Sequence, residues 1–266
     1  MTRLGLTRTF NQQDFDRFAA LSGDANPIHV DAGFAARTRF GRTVAHGVLL
    51  ETVLRGLAGQ LAPGRCVAEQ ALRFSAPTYA DEPMRFEAWR EDDATLGLNV
   101  TRAADGTLTC DGRMTLAEAA APRLNPLPDL LPAPDTAARL TPAPCGPLRL
   151  GMIAALTRRF SAGDVAEYTA LGGHAPAPGT VPEPLIGALF STLLGMELPG
   201  LGTNYLKQET RHLRPARLGE PLTAQVEITG LRLEKNLVDL ATRCHNAQDR
   251  LIAEGRALVY VRDVAR

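Results

Sequence analysis

Asp24 and His29 stand five residues apart within FAALSGDANPIH (Phe18 to His29), with Asn26 and Pro27 between them. Gly23 and the Asn-Pro pair interrupt a helix, so the segment reads as a tight loop able to aim both side chains at one small volume. A carboxylate and an imidazole converging there can manage the protons of a bound water, one as base and the other as acid. The plainer reading is a helix cap, an Asp or Asn opening a helix over Asp31 to Arg37. Further on, VAHGV (Val44 to Val48) sets His46 and Gly47 just ahead of an apolar run. An N–H at the start of a helix lacks an intrahelical partner and sits at the positive end of the dipole, so Gly47 is a candidate donor to an oxyanion. The alternative is a glycine chosen for backbone shape.

The elements needed to hold these residues occur twice. RTFNQQDFDRFAALSGD (Arg8 to Asp24) aligns with RRFSAGDVAEYTALGGH (Arg158 to His174), and Glu82-Pro83 aligns with Glu220-Pro221. Each half predicts a short amphipathic helix (Gln12 to Leu21; Ala162 to Leu171) and then a helix apolar nearly all round (Val48 to Ala58; Leu185 to Leu194), which belongs in a core. Four alternating, strand-like runs follow in each half, near 70–74, 84–90, 95–101 and 108–117, then near 204–213, 222–231, 237–244 and 251–261. Ala119 to Leu150 carries 8 of the 19 prolines and reads as an extended linker. The expected organisation is therefore a catalytic domain over 1–118, a Pro/Ala-rich linker over 119–150 and a second domain over 151–266, packed as an internal pseudo-dimer. A further homodimer is compatible with this arrangement.

The halves diverge at the chemistry. His174 replaces Asp24, Pro176 replaces Asn26, and Glu183-Pro184 replaces His46-Gly47. The register offset falls from 150 to 138 residues, so 12 residues of the His29-to-Gly41 stretch have no counterpart. A proline at the helix start has no N–H to offer. The second half is thus expected to be degenerate and non-catalytic.

SGDANPIHVD followed by AHGVLL resembles the signature of the MaoC-like (R)-specific enoyl-CoA hydratases (hydratase 2), whose G-D-x-N-P-x-H core matches Gly23, Asp24, Asn26, Pro27 and His29 and whose H-G pair matches His46 and Gly47. The resemblance implies an α+β fold, the hot dog: a long buried helix wrapped by a curved antiparallel sheet, here a double hot-dog in tandem. It implies (R)-specific hydration of trans-2-enoyl-CoA, or the reverse dehydration, with Asp24 and His29 holding the water, Asn26 orienting the site and Gly47 donating to the thioester oxygen. His46, Val48 and Arg55 are the expected substrate-side residues. Arg55 falls by ungapped count where the family often has a small hydroxyl residue supporting the aspartate. It could pair with Asp24, read a second substrate carboxylate, or simply pair with Glu51 on the same helix. Close variants are an acyl-carrier-protein thioester or a branched or dicarboxylic acyl-CoA as substrate. A hot-dog thioesterase would need a carboxylate on the central helix, for which Glu51 is the candidate in the first half.

Composition narrows the partners. Lys plus Arg equals Asp plus Glu at 29 each, which gives no reason to expect nucleic acid or an anionic membrane surface. Cys66, Cys110, Cys145 and Cys244 are far apart, without CxxC or metal-ligand spacing, and read as reduced thiols of a cytoplasmic protein. No apolar run reaches the roughly 18 residues of a membrane span. Neither a cofactor nor a metal is expected. Arg37, Arg39 and Arg42 follow the Asp24/His29 segment and are either contacts for CoA phosphates or a solvated loop.

Overall fold

The computed structural model describes residues 2–118 and 147–262; most of the expected linker (119–146) and Cys145 lie outside the described residues. The first half runs β1 (Arg3–Thr9), α1 (Gln12–Ser22), α2 (Pro27–Val30), α3 (Ala32–Ala35), α4 (Gly47–Leu61), β2 (Arg65–Phe74), β3 (Pro83–Arg90), β4 (Thr95–Arg102) and β5 (Leu108–Glu118). The second runs β6 (Ile153–Arg158), α5 (Ala162–Ala170), α6 (Glu183–Met196), β7 (Asn204–His212), β8 (Leu222–Arg232), β9 (Leu237–His245) and β10 (Leu251–Tyr260). Among the described residues the strands form one antiparallel sheet in the order β1-β3-β4-β5-β2-β7-β10-β9-β8-β6. This is the double hot-dog. The apolar helices α4 and α6 are buried along nearly their whole length and pack against each other and the sheet.

The two halves meet at β2 and β7, paired antiparallel from Glu69↔Arg211 to Arg73↔Lys207. The outermost strands β1 and β6 complete the two ends of the sheet, and the sequence pattern did not reveal them. Both are edge strands with mostly exposed or half-buried residues, so they lack the buried alternate face that marks a strand in sequence.

Glu51 of α4 lies fully buried near this seam, where its Oε2 accepts from Gln208 Nε2 at 3.1 Å. Gln208 belongs to the second half, so the carboxyl is a contact between halves. Burial pushes the carboxyl up to about 7, only partly offset by the Gln70 and Gln208 amides. A carboxyl whose folded pKa exceeds its unfolded one stabilises least when ionised. The native state is therefore least penalised below the unfolded value, and stability falls as pH rises from about 4.5 to about 7. Glu51→Gln is expected to flatten that slope and to raise stability at pH 8 by up to about 3 kcal/mol, from a shift of roughly 2.5 pH units. Urea midpoints of both proteins at pH 5 and pH 8 measure it.

Candidate active site

The segment carrying Asp24 and His29 is built by three local devices. Asn11 and Asp14 form a capping box that starts α1, and Gly23 ends it at φ 84°, in the left-handed region. The chain then passes Asp24 and restarts at once, with the Asn26 side chain capping α2 and Pro27 in its first turn. His29 thus sits on a one-turn helix rather than in an open loop. Asp31, in turn, caps α3 by accepting from Phe34 N at 2.9 Å. The cap reading is thus realised by Asn26 and Asp31, which leaves Asp24 and His29 free of capping duty.

Asp24, Asn26, His29 and Gly47 all line one cavity of about 450 Å³. Asp24 is 1 % exposed, and its carboxylate accepts from Ser191 Oγ at 2.7 Å and from Asn26 N at 3.3 Å. Burial raises its pKa, against the opposing pull of His29 and these hydrogen bonds. His29 Nδ1 lies 2.8 Å from the Val44 carbonyl, which can only accept, so Nδ1 carries the hydrogen and Nε2 keeps a lone pair. Burial lowers the His29 pKa, with Asp24 acting in the other direction. The two groups are thus brought toward each other in proton affinity, which suits a pair that exchanges protons with one water. Asn26 Oδ1 accepts from Gly202 N at 3.4 Å, tying the segment to the second half.

His46 lies beneath this pair rather than on the cavity wall. Its ring stacks on His29 at 3.7 Å between centroids, and its Nε2 donates to the Asp24 carbonyl at 2.8 Å. Burial holds its pKa well below the ordinary value, so it is a neutral brace. Ligand atoms of Asp24, His29 and His46 lie within 4.8 Å of one another. The stacked rings are nearly parallel, at 26°, and each commits one nitrogen to a backbone carbonyl. Gly47 opens α4, which has no side-chain cap; the Leu49 N–H turns back to the His46 carbonyl at 3.0 Å, leaving the N–H groups at the very start, Gly47 first, for a ligand. A Cβ on Gly47 would lie 2.8 Å from the Phe74 ring, so glycine also lets that ring close the cavity.

Two expected substrate residues lie elsewhere. Val48 is 0 % exposed within the hydrophobic core. Arg55 points away from Asp24 and from the cavity: its Nε donates to Glu183 Oε2 at 3.2 Å, and its guanidinium also reaches the Arg65 carbonyl. Its ion pair is thus with Glu183 rather than with Asp24 or Glu51, and it does not line the cavity. The hydroxyl that supports Asp24 is Ser191, from α6 of the other half. Gly195, one turn further along α6, admits the site: a Cβ there would lie 2.9 Å from Asp24 Oδ1 and 3.0 Å from Asn26 Nδ2. Sequence counting along α4 missed both because they lie on α6, which packs against α4 and reaches the site from the other half. Ser191 is within two residues of the counterpart of Arg55, and only by carrying that position over to the second half could the sequence have led to it.

A family model described as "MaoC like domain" matches residues 2–108. The chain is 40% identical over 93 residues to an (R)-specific enoyl-CoA hydratase from Aeromonas caviae, a match covering 33% of this chain and 69% of that protein. It is 38% identical over 74 residues to a 3-hydroxybutyryl-CoA dehydratase from Methylorubrum extorquens, covering 27% of this chain and 47% of that one, so it spans about half that relative's length. Among solved structures, a conserved hypothetical protein from Mycobacterium tuberculosis with a double hotdog fold superimposes with a TM-score of 0.73 at 16% identity, over 97% of this chain and 95% of the other. That likeness concerns the fold. Among the described residues no helix is long and apolar enough to cross a membrane.

Proposed function

The chain belongs to the MaoC-like dehydratase family, and on that premise we propose that it adds water to trans-2-enoyl thioesters to give (3R)-3-hydroxyacyl thioesters, or runs the reverse dehydration. The observation that carries the proposal is the convergence of Asp24 and His29 on one cavity that also holds the uncapped start of α4 at Gly47. In this reading the water lies between the Asp24 carboxylate and His29 Nε2. Between them the pair takes one proton from the water and delivers one to C2 as the oxygen adds to C3. Negative charge gathers on the thioester oxygen in the enolate-like state, and Gly47 N–H meets it there. A donor of this kind is typically worth about 2.7–4 kcal/mol.

The second half, in this reading, is a non-catalytic partner that completes the site. It supplies Ser191 beneath the Asp24 carboxylate and forms a wall from Leu194, Gly195 and Thr203 to Leu206. The position equivalent to the acid/base site is occupied instead by the buried Arg55–Glu183 pair with His174 beside it.

The thioesterase alternative needs a carboxylate on the central helix facing the cavity, and Glu51 is engaged with Gln208 away from its lining. The dicarboxylic variant rested on Arg55 and loses its basis with the placement of that residue. Crotonyl-CoA is the test substrate. Loss of enoyl absorbance without release of free thiol is expected; thiol release would make the protein a thioesterase, and no change in either would leave it a binding protein.

A further inference from the structure

Three arginines follow the catalytic segment, and the structure separates them. Arg42 is paired with Glu82 and lies over the Tyr79 ring at 4.0 Å. Arg37 lies over Phe34 at 5.9 Å and does not line the cavity. Arg39 does line it, and it is exposed, so it stands where the cavity opens to solvent while Asp24 is buried inside. Its guanidinium sits 5.0 Å from the Phe40 ring centroid and 4.6 Å from that of Tyr260. Among the described residues no carboxylate lies within 4 Å of it.

Stacking on ring faces fixes a planar guanidinium while leaving its edge donors free. Arg39 is thus an oriented fork without an internal anion. Tyr260 ends β10 opposite Asn204, which itself lines the cavity, so the second half fixes the fork in place. The chain carries no net charge to draw an anion in, so attraction at the opening falls to this local cation. A thioester whose acyl end reaches Asp24 must leave its carrier arm through the same opening.

Resting on the thioester reading above, we propose that Arg39, held by Tyr260 of the second half, binds a phosphate of the 4′-phosphopantetheine-bearing carrier. The shared ligand chemistry is a phosphate ester or diphosphate, present in CoA and on a carrier protein alike. A planar fork suits phosphate oxygens in pairs.

The test compares crotonyl-CoA, crotonyl-carrier-protein and crotonyl-pantetheine, the last lacking any phosphate, in the full-length chain and in Arg39→Gln. The expected result is a fall of about tenfold in the ratio of kcat/KM for crotonyl-CoA to that for crotonyl-pantetheine, the effect of one charge-assisted bond. Tyr260→Leu should move the same ratio in the same direction. A matching fall with the carrier protein assigns the arm's own phosphate, whereas a fall with CoA alone assigns the phosphates of its nucleotide. An unchanged ratio, whether or not both activities drop, overturns the assignment. Wild-type turnover of crotonyl-pantetheine establishes the thioester reading independently; if the wild type turns over none of the three, that reading falls and Arg39 with it.

Discussion

Asp24→Asn and His29→Ala should each lower hydration of crotonyl-CoA by roughly 10²–10⁴-fold, the range of general acid–base assistance. Asparagine at position 24 keeps the shape of the carboxylate, with its Oδ1 accepting from Asn26 N and its Nδ2 donating to Ser191 Oγ in place of the bond accepted there, so this variant removes charge and basicity with little loss of packing. The double variant is expected to lose scarcely more than either single one, because groups that share one water fail as a unit. Ser191→Ala belongs to the same series at a smaller scale, about tenfold or somewhat more, the worth of one bond to a charged group. Absorbance-based turnover read beside far-UV circular dichroism separates lost chemistry from lost fold. Near-normal turnover in either single variant would remove that residue from the mechanism.

Arg55→Ala is expected to destabilise the protein by about 3–5 kcal/mol, the typical cost of stripping one partner from a buried ion pair. The Arg55 side chain is 5% exposed and that of Glu183 16%. Burial works against the Glu183 carboxylate, but Arg55, His212 and the Val67 N–H outweigh it and hold its pKa below the usual range. Without Arg55 that carboxylate would be left in the interior with too few counterweights. Exchanging both residues together, as in Arg55→Met with Glu183→Gln, should recover most of the loss, since no charge is then stranded. Urea unfolding of the single and double variants measures this. A midpoint unmoved by Arg55→Ala would show the pair to be incidental. The pair joins α4 to α6, so the expected damage is to the joint between the halves, with no selective effect on dicarboxylic substrates.

How legible the site was depended on whether its residues lay along one segment. Asp24, Asn26 and His29 share a short stretch whose turn is written in Gly23 and Pro27, and Gly47 opens a helix visible from its apolar run. The double hot-dog follows from the resemblance to the MaoC-like family together with the internal repeat, whereas one apolar helix and a set of alternating strands per half imply by themselves only an α+β arrangement. Ser191 and Gly195 were not legible, because nothing local links an α6 serine to a carboxylate in the other half. Arg55 misled for the complementary reason: its position on α4 was right for a supporting residue, but it faces the second half's counterpart of the site. The edge strands β1 and β6 carry too little buried surface to show a period.

The hydrogen bond from Ser191 to Asp24 spans 167 residues of sequence. That span orders the folding of the molecule. Hairpins such as β3–β4 and β4–β5 close over short stretches of chain and meet little loop-closure entropy. The β2–β7 seam and the Ser191 contact can form only after the second half has been made and has collapsed onto the first. During synthesis the amino-terminal half therefore emerges with Asp24 and His29 while the Ser191 support for Asp24 is still unmade. Helices and hairpins of each half come first, and the central seam comes last with the Ser191 contact, so under the proposed reading recovery of turnover marks the docking of the halves rather than the formation of either one.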